Sequence, residues 1–334
     1  MAATGNWSSA RGVVAIGASA GGIDALQRVI PELPEDLQAA ICIVLHIPAA
    51  SRSLLPEIIG RQTPLPVSQA MAGERLRAGH VYVAPPDWHV LVRDRHIRLE
   101  RGPKENGVRP AIDPLFRSIA EAYGRCAVAV VLSGSLSDGA AGAAAVATTG
   151  GTVLVQDPDD AIVPGMPEAA LAAVPGAEAF TAAGLTAQIT RRVQAFPEID
   201  PEEAAMFAPE PARENNPGPP TGFTCPECHG PLWERRSGAV VRYRCRVGHV
   251  FSEEVLLDGK AAAIEAALWM ALEALEERGE LLEKVAARME DHGREDRAAR
   301  LRERARGASE RAELIRGVLT IDEAPVERAE SESA

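Results

Sequence analysis

The chain has 334 residues, 46% of them hydrophobic and 25% charged, and its 47 acidic and 35 basic side chains give a formal net charge of −12. Such proportions exclude a disordered or collagen-like chain, and the length predicts one full-sized domain with one or two smaller modules. The acidic balance argues against nucleic acid as the main partner. With no signal peptide and no apolar run of the roughly 18 residues that a membrane span needs, we expect a cytoplasmic protein without membrane insertion.

The first half of the chain alternates short apolar runs with helical patterns. After a predicted disordered N-terminus, 1–11, the alternation covers 12–195. The apolar runs are continuous, as in strands buried on both faces of a parallel sheet, and they lie at 13–16, 41–45, 127–132 and 152–155. Helical patterns lie near 22–31, 51–61, 114–123, 139–149 and 165–173. This repetition predicts an α/β domain around a parallel sheet, with an antiparallel insertion or edge at 67–100.

The first predicted strand leads into a glycine-rich turn, 17–22, with the sequence GASAGG. A dinucleotide fingerprint needs a glycine where this chain has Ser19 and an acid after the second strand, so that interpretation is poor. The alternative is a serine nucleophile on a tight strand-to-helix turn, with the N–H of Ala20 facing a developing oxyanion. On the motif alone, a serine that caps a helix is the better interpretation.

Two further residues favour the catalytic interpretation. His46 ends the second apolar run, and Asp138 follows the third. Ligands of open parallel sheets bind at the carboxyl ends of strands, so we predict that Ser19, His46 and Asp138 meet there. The imidazole would accept the serine proton while the carboxylate fixes its tautomer. The order Ser–His–Asp along the chain disfavours the α/β-hydrolase fold.

Two other residues carry alternative interpretations. His89, in a Pro-rich turn, is the best rival for the role of base. Asp113 is followed by Pro114, a pattern typical of a helix N-cap with proline at the first helical position. We therefore predict a structural role for Asp113.

Five segments, in this order and spacing, resemble the catalytic domain of CheB-type chemotaxis receptor methylesterases: GASAGG, VLHIP, VYVAPPDWHVLV, RPAIDPLFRS and VVLSGSLSDGAAG. The resemblance covers about 12–195 and implies a three-layer α/β methylesterase domain. The family's triad corresponds here to Ser19, His46 and Asp138. It also implies that the chain hydrolyses glutamate methyl esters on receptor helical bundles, with glutamine deamidation as a second activity and no catalytic cofactor.

The chain departs from the family pattern around the cleft. Ala20 stands where the family often has threonine, and Leu136-Ser137 replaces the usual Met-Gly. We expect Ala20, Gly21 and Leu136 to line the cleft and shape the oxyanion site. Only about a dozen residues precede the first predicted strand, so we expect no receiver domain and no activation by self-carried phosphorylation.

A Pro-rich linker is predicted at 196–222, and it separates the α/β domain from a small cysteine-containing unit, 223–257. Cys225 and Cys228 form one knuckle, and Cys245 and His249 form the other, which is the ligand pattern of a structural zinc site. His229 is a rival fourth ligand. The unit resembles a zinc ribbon, and its size makes a bound Zn²⁺ necessary for folding. Four protein ligands leave no open position, so we expect a docking role.

The last predicted module, 258–320, is a pair of helices around the turn sequence DHGRED, followed by a disordered tail, 321–334. Apolar residues at steps of three and four predict one seam on each helix and hence an antiparallel hairpin. The seams are Leu268, Leu272, Leu275, Gly279, Leu282, Ala286 and Met289, and Ala298, Leu301, Ala305, Ala308, Ala312, Ile315 and Leu319. We expect this hairpin to contact receptor bundles or other signalling proteins, or to self-associate.

Two alternatives to a receptor methylesterase stay open at the level of sequence. One is a catalytically silent signalling adaptor that keeps the α/β domain as a binding scaffold. The other is an esterase that acts on another small ester. Replacement of Ser19 separates the adaptor from both enzymes, because only an enzyme needs that hydroxyl.

Overall fold

The structure is a computed structural model that describes residues 10–51, 53–197, 220–237 and 240–320. These residues form two compact units that divide between Leu256 and Leu257. Most of the predicted disordered N-terminus, 1–11, most of the predicted linker, 196–222, and the whole predicted tail, 321–334, lie outside the described residues. The ends of the first two predictions were wrong, because Ala10 and Phe196 are buried in the core and residues 220–222 belong to a strand. Within the described ranges, no helix is long and apolar enough to cross a membrane.

A parallel sheet forms the centre of the first unit. Its strands are β1 (Gly12–Ala18), β2 (Ala39–Leu45), β3 (Val67–Gln69), β4 (Val81–Val83), β7 (Ala127–Val131), β8 (Thr152–Gln156) and β9 (Glu178–Phe180). Their order is β3-β4-β2-β1-β7-β8-β9, and every neighbouring pair is parallel. All residues of β1, β2 and β7 are buried, which explains their continuous apolar sequences.

Six α-helices follow or separate these strands: α1 (Gly22–Val29), α2 (Leu55–Gly60), α3 (Ile112–Tyr123), α4 (Ala140–Thr148), α5 (Gly165–Ala173) and α6 (Ala182–Gln194). Helix α1 packs against α6 and α2, whereas α4 packs against both α3 and α5. The helices therefore cover the sheet as two groups, one on each face. The predicted three-layer α/β class is confirmed.

The prediction for residues 67–100 was only partly correct. The antiparallel part is one hairpin, β5 (His89–Arg93) paired with β6 (His96–Glu100). By contrast, β4 belongs to the main sheet, where it pairs in parallel with β2 and is buried throughout. Strand β9 and helix α6 were not predicted. Because β9 is short and only partly buried, it lacks the continuous apolar pattern that marked the other strands.

The cysteine-containing residues also belong to the first unit. They form a four-stranded antiparallel sheet of β10 (Pro220–Thr224), β11 (Pro231–Ser237), β12 (Val240–Cys245) and β13 (Val250–Phe251). Leu232, Tyr243 and Phe251 pack with two cysteines into a separate small core. We expected the linker to separate this sheet from the α/β domain, but the sheet contacts that domain directly through a bridge between Val250 and Glu105.

Two long helices, α7 (Glu253–Asp291) and α8 (Glu295–Thr320), complete the described chain, and their residues from Leu257 onward form the second unit. They run antiparallel, since Glu276 pairs with Arg316 and Glu290 with Arg302. Their seam is built largely from small residues, and its buried members are Leu272, Gly279, Ala286, Ala298, Ala305, Ala308 and Ala312. The predicted helical hairpin is confirmed.

Candidate active site

Ser19 lies in the turn between β1 and α1, beside the carboxyl end of β7. Its N–H donates to the carbonyl oxygen of Ser133 at 2.9 Å, which fixes the turn against the segment after β7. Gly21 adopts a φ of +75°, and a Cβ there would lie 2.6 Å from the Ser133 Oγ and 2.7 Å from the Ile162 Cβ. Glycine is therefore required here, both because φ is positive and because a Cβ would clash with its neighbours. It lets the turn close with Ser19 at its tip.

His46 follows β2 and bridges the other two predicted catalytic residues. Its Nδ1 lies 3.2 Å from the Ser19 Oγ, and its Nε2 lies 2.8 Å from the Asp138 Oδ2. A carboxylate can only accept hydrogen bonds, so the imidazole proton belongs on Nε2. Nδ1 is then free to accept a hydrogen bond from the Ser19 hydroxyl. The structure thus brings together Ser19, His46 and Asp138 from three neighbouring strand ends.

The Asp138 carboxylate lies at the N-terminus of α3. Its Oδ2 also accepts the Ile112 N–H at 2.7 Å, while its Oδ1 accepts the Asn106 Nδ2 at 2.9 Å and the Asp113 N–H at 3.2 Å. Burial alone would raise the pKa of Asp138, but the hydrogen bonds from His46, Ile112 and Asn106 outweigh burial and lower it. The carboxylate therefore stays charged, as a group that stabilises an imidazolium must.

Asp113 does not cap its own helix, contrary to the sequence prediction. Helix α3 begins at Ile112, so Asp113 is already inside its first turn. Its Oδ1 instead accepts the Gly142 N–H at 2.6 Å, near the start of α4. Burial, and then the nearby charge of Asp138, raise the pKa of Asp113 to about 6. Asp113 is structural, but it joins two helices rather than starting one.

His89, the rival base, makes structural hydrogen bonds with both ring nitrogens. Its Nε2 lies 3.0 Å from the Pro103 carbonyl oxygen, and its Nδ1 accepts the Ala111 N–H at 3.2 Å. The ring is buried, and burial lowers its pKa. It therefore supports the approach to α3 and leaves the role of base to His46.

Two of the predicted cleft residues have backbone N–H groups that could serve as oxyanion donors: Ala20, which follows Ser19 in the chain, and Leu136, in the turn that precedes Asp138. In the part of the chain that the structure describes, neither the Ala20 N–H nor the Leu136 N–H has a protein acceptor. Leu136 has a left-handed φ of 62°, which is unusual for leucine. Such backbone strain is typical of functional sites.

Sequence reasoning missed Asn106, the side chain that donates to Asp138. It lies in a two-residue turn with Gly107, where φ is 51° for Asn106 and 74° for Gly107, and Glu105 and Val108 pair across the turn. An Asn-Gly dipeptide is the usual sequence of this tight turn, so the turn itself was predictable. Its contact with Asp138 was not, because 32 positions separate the two residues.

The four predicted metal-ligand residues lie together at one end of the small sheet. The Sγ atoms of Cys225, Cys228 and Cys245 and a ring nitrogen of His249 all lie within 4.8 Å of one another. His229 is outside this group and contributes its backbone N–H to the Cys225 carbonyl oxygen. The group is thus a candidate metal site with three thiols and one imidazole.

Comparisons with known proteins identify relatives of the α/β part of the chain. The sequence model of the family described as CheB methylesterase matches residues 14–189. A Paramagnetospirillum magneticum protein named protein-glutamate methylesterase/protein-glutamine glutaminase 1 is 42% identical over 166 residues, which are 48% of this chain and 44% of the relative. A protein of the same name from Rhodospirillum rubrum is 41% identical over 163 residues, 47% of this chain and 42% of the relative. The chain thus spans less than half the length of these relatives.

A solved structure is also similar to this chain. The Thermotoga maritima CheB methylesterase catalytic domain aligns with a TM-score of 0.52 and 32% identity, over 55% of this chain and 98% of that one. Its sheet and helices account for the α/β part of the first unit.

Proposed function

The chain belongs to the CheB methylesterase family, and we propose that it is a serine hydrolase. In this proposal, the hydrogen-bonded Ser19–His46–Asp138 series removes methyl esters from glutamate side chains of chemotaxis-type receptors. The observation that carries the proposal is the 3.2 Å contact between the Ser19 Oγ and an imidazole whose far nitrogen bonds a buried carboxylate. That arrangement activates a hydroxyl for attack on an acyl carbon.

In the first half of the reaction, the Ser19 Oγ bonds the ester carbonyl carbon as its proton passes to the His46 Nδ1. The tetrahedral intermediate then collapses, the bond to the methoxy oxygen breaks, and His46 returns the proton to that oxygen, so methanol leaves. Asp138 stabilises the imidazolium between these steps through the Nε2–H bond. In the second half, water attacks the acyl carbon by the same route, which frees the glutamate and restores Ser19.

The oxyanion of each intermediate needs donors that are in place before the reaction. We assign that role to the N–H groups of Ala20 and Leu136, since both lack other acceptors among the described residues. The same route deamidates glutamine if His46 gives its proton to a leaving ammonia, as the glutaminase part of the relatives' names implies for those proteins. We extend both activities to this chain.

For the metal group, we propose a structural Zn²⁺. Tetrahedral zinc with Zn–S bonds of about 2.3 Å separates its ligand atoms by roughly 3.8 Å. The Cys228 and Cys245 Sγ atoms are 3.6 Å apart, and the His249 Nδ1 lies 3.7 Å from the Cys225 Sγ and 3.5 Å from the Cys245 Sγ. The ligand set therefore fits zinc. The ion would hold the two knuckles together and would take no part in ester chemistry.

The receptor helical bundle remains the proposed substrate, with the α7–α8 hairpin as a further contact to such bundles or to a second copy of the chain. The seam residues pack against each other between the two helices, whereas Trp269, Met270 and Leu314 are exposed. These side chains offer apolar contacts to another helix.

The test is incubation of the full chain with a methylated receptor fragment while methanol release is measured. We expect release by the wild type and none by Ser19→Ala, with Ser309→Ala on α8 as the matched control that keeps full activity. A wild type that releases no methanol but turns over small esters would support the other esterase. Turnover of neither substrate would support the silent adaptor.

A further inference from the structure

The small cysteine-containing sheet lies against the turn that carries Asn106. The Val250 N–H donates to the Lys104 carbonyl oxygen at 3.4 Å, and the Asn106 N–H donates to the Val250 carbonyl oxygen at 2.7 Å. Strand β13 therefore pairs in parallel with residues 104–106. Since Val250 directly follows His249, this pairing begins one residue after a proposed zinc ligand.

The side chain of Asn106 connects this strand to the triad. Its Oδ1 accepts the Ser252 N–H at 3.1 Å, and its Nδ2 donates to the Asp138 Oδ1 at 2.9 Å and to the Asp113 Oδ2 at 3.1 Å. These partners fix the orientation of the amide, because only its oxygen can face a donor and only its nitrogen can face carboxylates. The residue is 7% exposed, so water cannot readily replace these bonds.

A second contact joins the same two regions. The Ser137 hydroxyl, next to Asp138 in the chain, donates to the Ser252 Oγ at 2.8 Å. That Oγ also accepts the Val255 N–H at 3.3 Å, so Ser252 caps the start of α7. Ser252 thus touches both flanks of the catalytic carboxylate, one through Asn106 and one through Ser137.

We propose that Asn106 is a positioning residue of the triad and that the zinc-bound unit holds it in place, so that loss of the metal slows reactions at Ser19. Without the Ser252 donor the Asn106 amide is free to turn, and the Asp138 Oδ1 loses a partner. The carboxylate is then less well aligned on the His46 Nε2. The proposal rests on the proposed function only in taking Ser19 as the nucleophile.

The variant Asn106→Gly tests the first part. Glycine suits the φ of +51°, so the substitution removes the amide without straining the turn. Asp94→Gly is the matched control, because Asp94 has a φ of 49° in the exposed β5–β6 turn. With the full zinc-loaded chain and p-nitrophenyl acetate, we expect kcat to fall about tenfold or more in Asn106→Gly, with KM and zinc content unchanged. Wild-type kcat in Asn106→Gly would overturn the positioning role.

Removal of zinc from the wild type tests the second part and needs no variant. The rate at which a fluorophosphonate labels Ser19 is measured before and after chelation, beside the downfield proton resonance of the His46–Asp138 hydrogen bond. We expect chelation to slow labelling of the wild type and to weaken the resonance. Chelation should slow Asn106→Gly by a smaller factor, because only the Ser137–Ser252 contact remains to be lost there. An unchanged rate in the wild type, or an equal further loss in Asn106→Gly, would overturn the coupling.

These readouts separate this proposal from the proposed function. Labelling and the resonance report the state of Ser19 and His46, whichever ester the protein hydrolyses. If labelling responds to zinc but no methanol leaves a receptor, the coupling stands and the substrate assignment fails.

Discussion

Asp113 and Asp138, which are 25 positions apart in the chain, accept the two protons of a single amide group, that of Asn106. Two buried carboxylates so close together repel each other when both are charged. Burial and this repulsion raise the pKa of Asp113 to about 6. The hydrogen-bond donors around Asp138 instead lower the pKa of Asp138. The structure therefore keeps the charge on the carboxylate that faces His46.

The raised pKa of Asp113 predicts a pH dependence of stability. An aspartate in the unfolded chain has a pKa of about 3.9, so folding favours the protonated form. The stabilisation is complete below about pH 4 and is lost as the pH rises to about 6, and two pKa units correspond to about 3 kcal/mol at most. We expect urea unfolding to show this loss between pH 4 and pH 6.5 in the wild type but not in Asp113→Asn, with zinc in excess throughout. An identical pH dependence in both proteins would contradict it.

Replacement of either Ser19 or His46 by alanine should abolish hydrolysis. Because the two side chains act as one unit, each single loss should be about 10⁴-fold or more and the double variant should lose no more. Single-turnover rates on a small ester measure this. Losses that multiply in the double variant would show that the two residues do not share a mechanism.

Asp138→Asn should damage both catalysis and folding. All four partners of the carboxylate are donors, so the amide nitrogen of asparagine must face at least one N–H. We expect kcat to fall about 10⁴-fold, because the histidine tautomer is no longer fixed, and the free energy of unfolding to fall by about 1–3 kcal/mol. Steady-state kinetics and urea titration check the two effects, and a variant with wild-type kcat would remove Asp138 from the triad.

The group of three cysteines and His249 predicts one zinc ion per chain in reduced protein that has not been exposed to a chelator. Cys225→Ser should release the zinc and unfold the small sheet, because its core of a few side chains cannot stand alone. Elemental analysis and hydrogen exchange over 220–251 provide the measurement. Zinc-free wild type, or a Cys225→Ser variant that keeps zinc, would contradict the assignment.

In the hairpin, Gly279→Ala should stabilise the second unit. A Cβ at this position would lie 3.7 Å from the Ser309 Oγ and 4.0 Å from the Ala308 Cβ, which is ordinary contact. Alanine is favoured over glycine in a helix by up to about 1 kcal/mol. Gly317→Ala, where a Cβ meets nothing within 4 Å, gives the same propensity gain without the contact. Calorimetry should show that both variants stabilise the second unit. A loss of stability in Gly279→Ala alone would mean that the two helices approach each other more closely at Gly279 than in this structure.

Asp113 illustrates where sequence reasoning stopped. The dipeptide Asp113-Pro114 carries a local helix-start signal, and a helix does start nearby, two residues earlier than predicted. The partners of the carboxylate are the N–H of Gly142, on another helix, and the side-chain amide of Asn106, in a turn. Local patterns record which conformations a segment prefers, whereas the partner of a buried side chain depends on how distant segments pack.

The sequence by itself determined the parallel strands, because continuous apolar runs suit strands buried on both faces. It also determined that Ser19, His46 and Asp138 lie together, because the carboxyl ends of parallel strands share one edge of the sheet. The grouping of Cys225, Cys228, Cys245 and His249 followed from spacing within a short segment. Only the tertiary structure decided that Asn106 bonds Asp138 and that Ser252, 146 positions further along the chain, bonds Asn106. Those contacts join the Asn106 turn to another turn and to the cap of a helix, through one hydrogen bond each. No periodicity or composition marks a single hydrogen bond between segments that far apart.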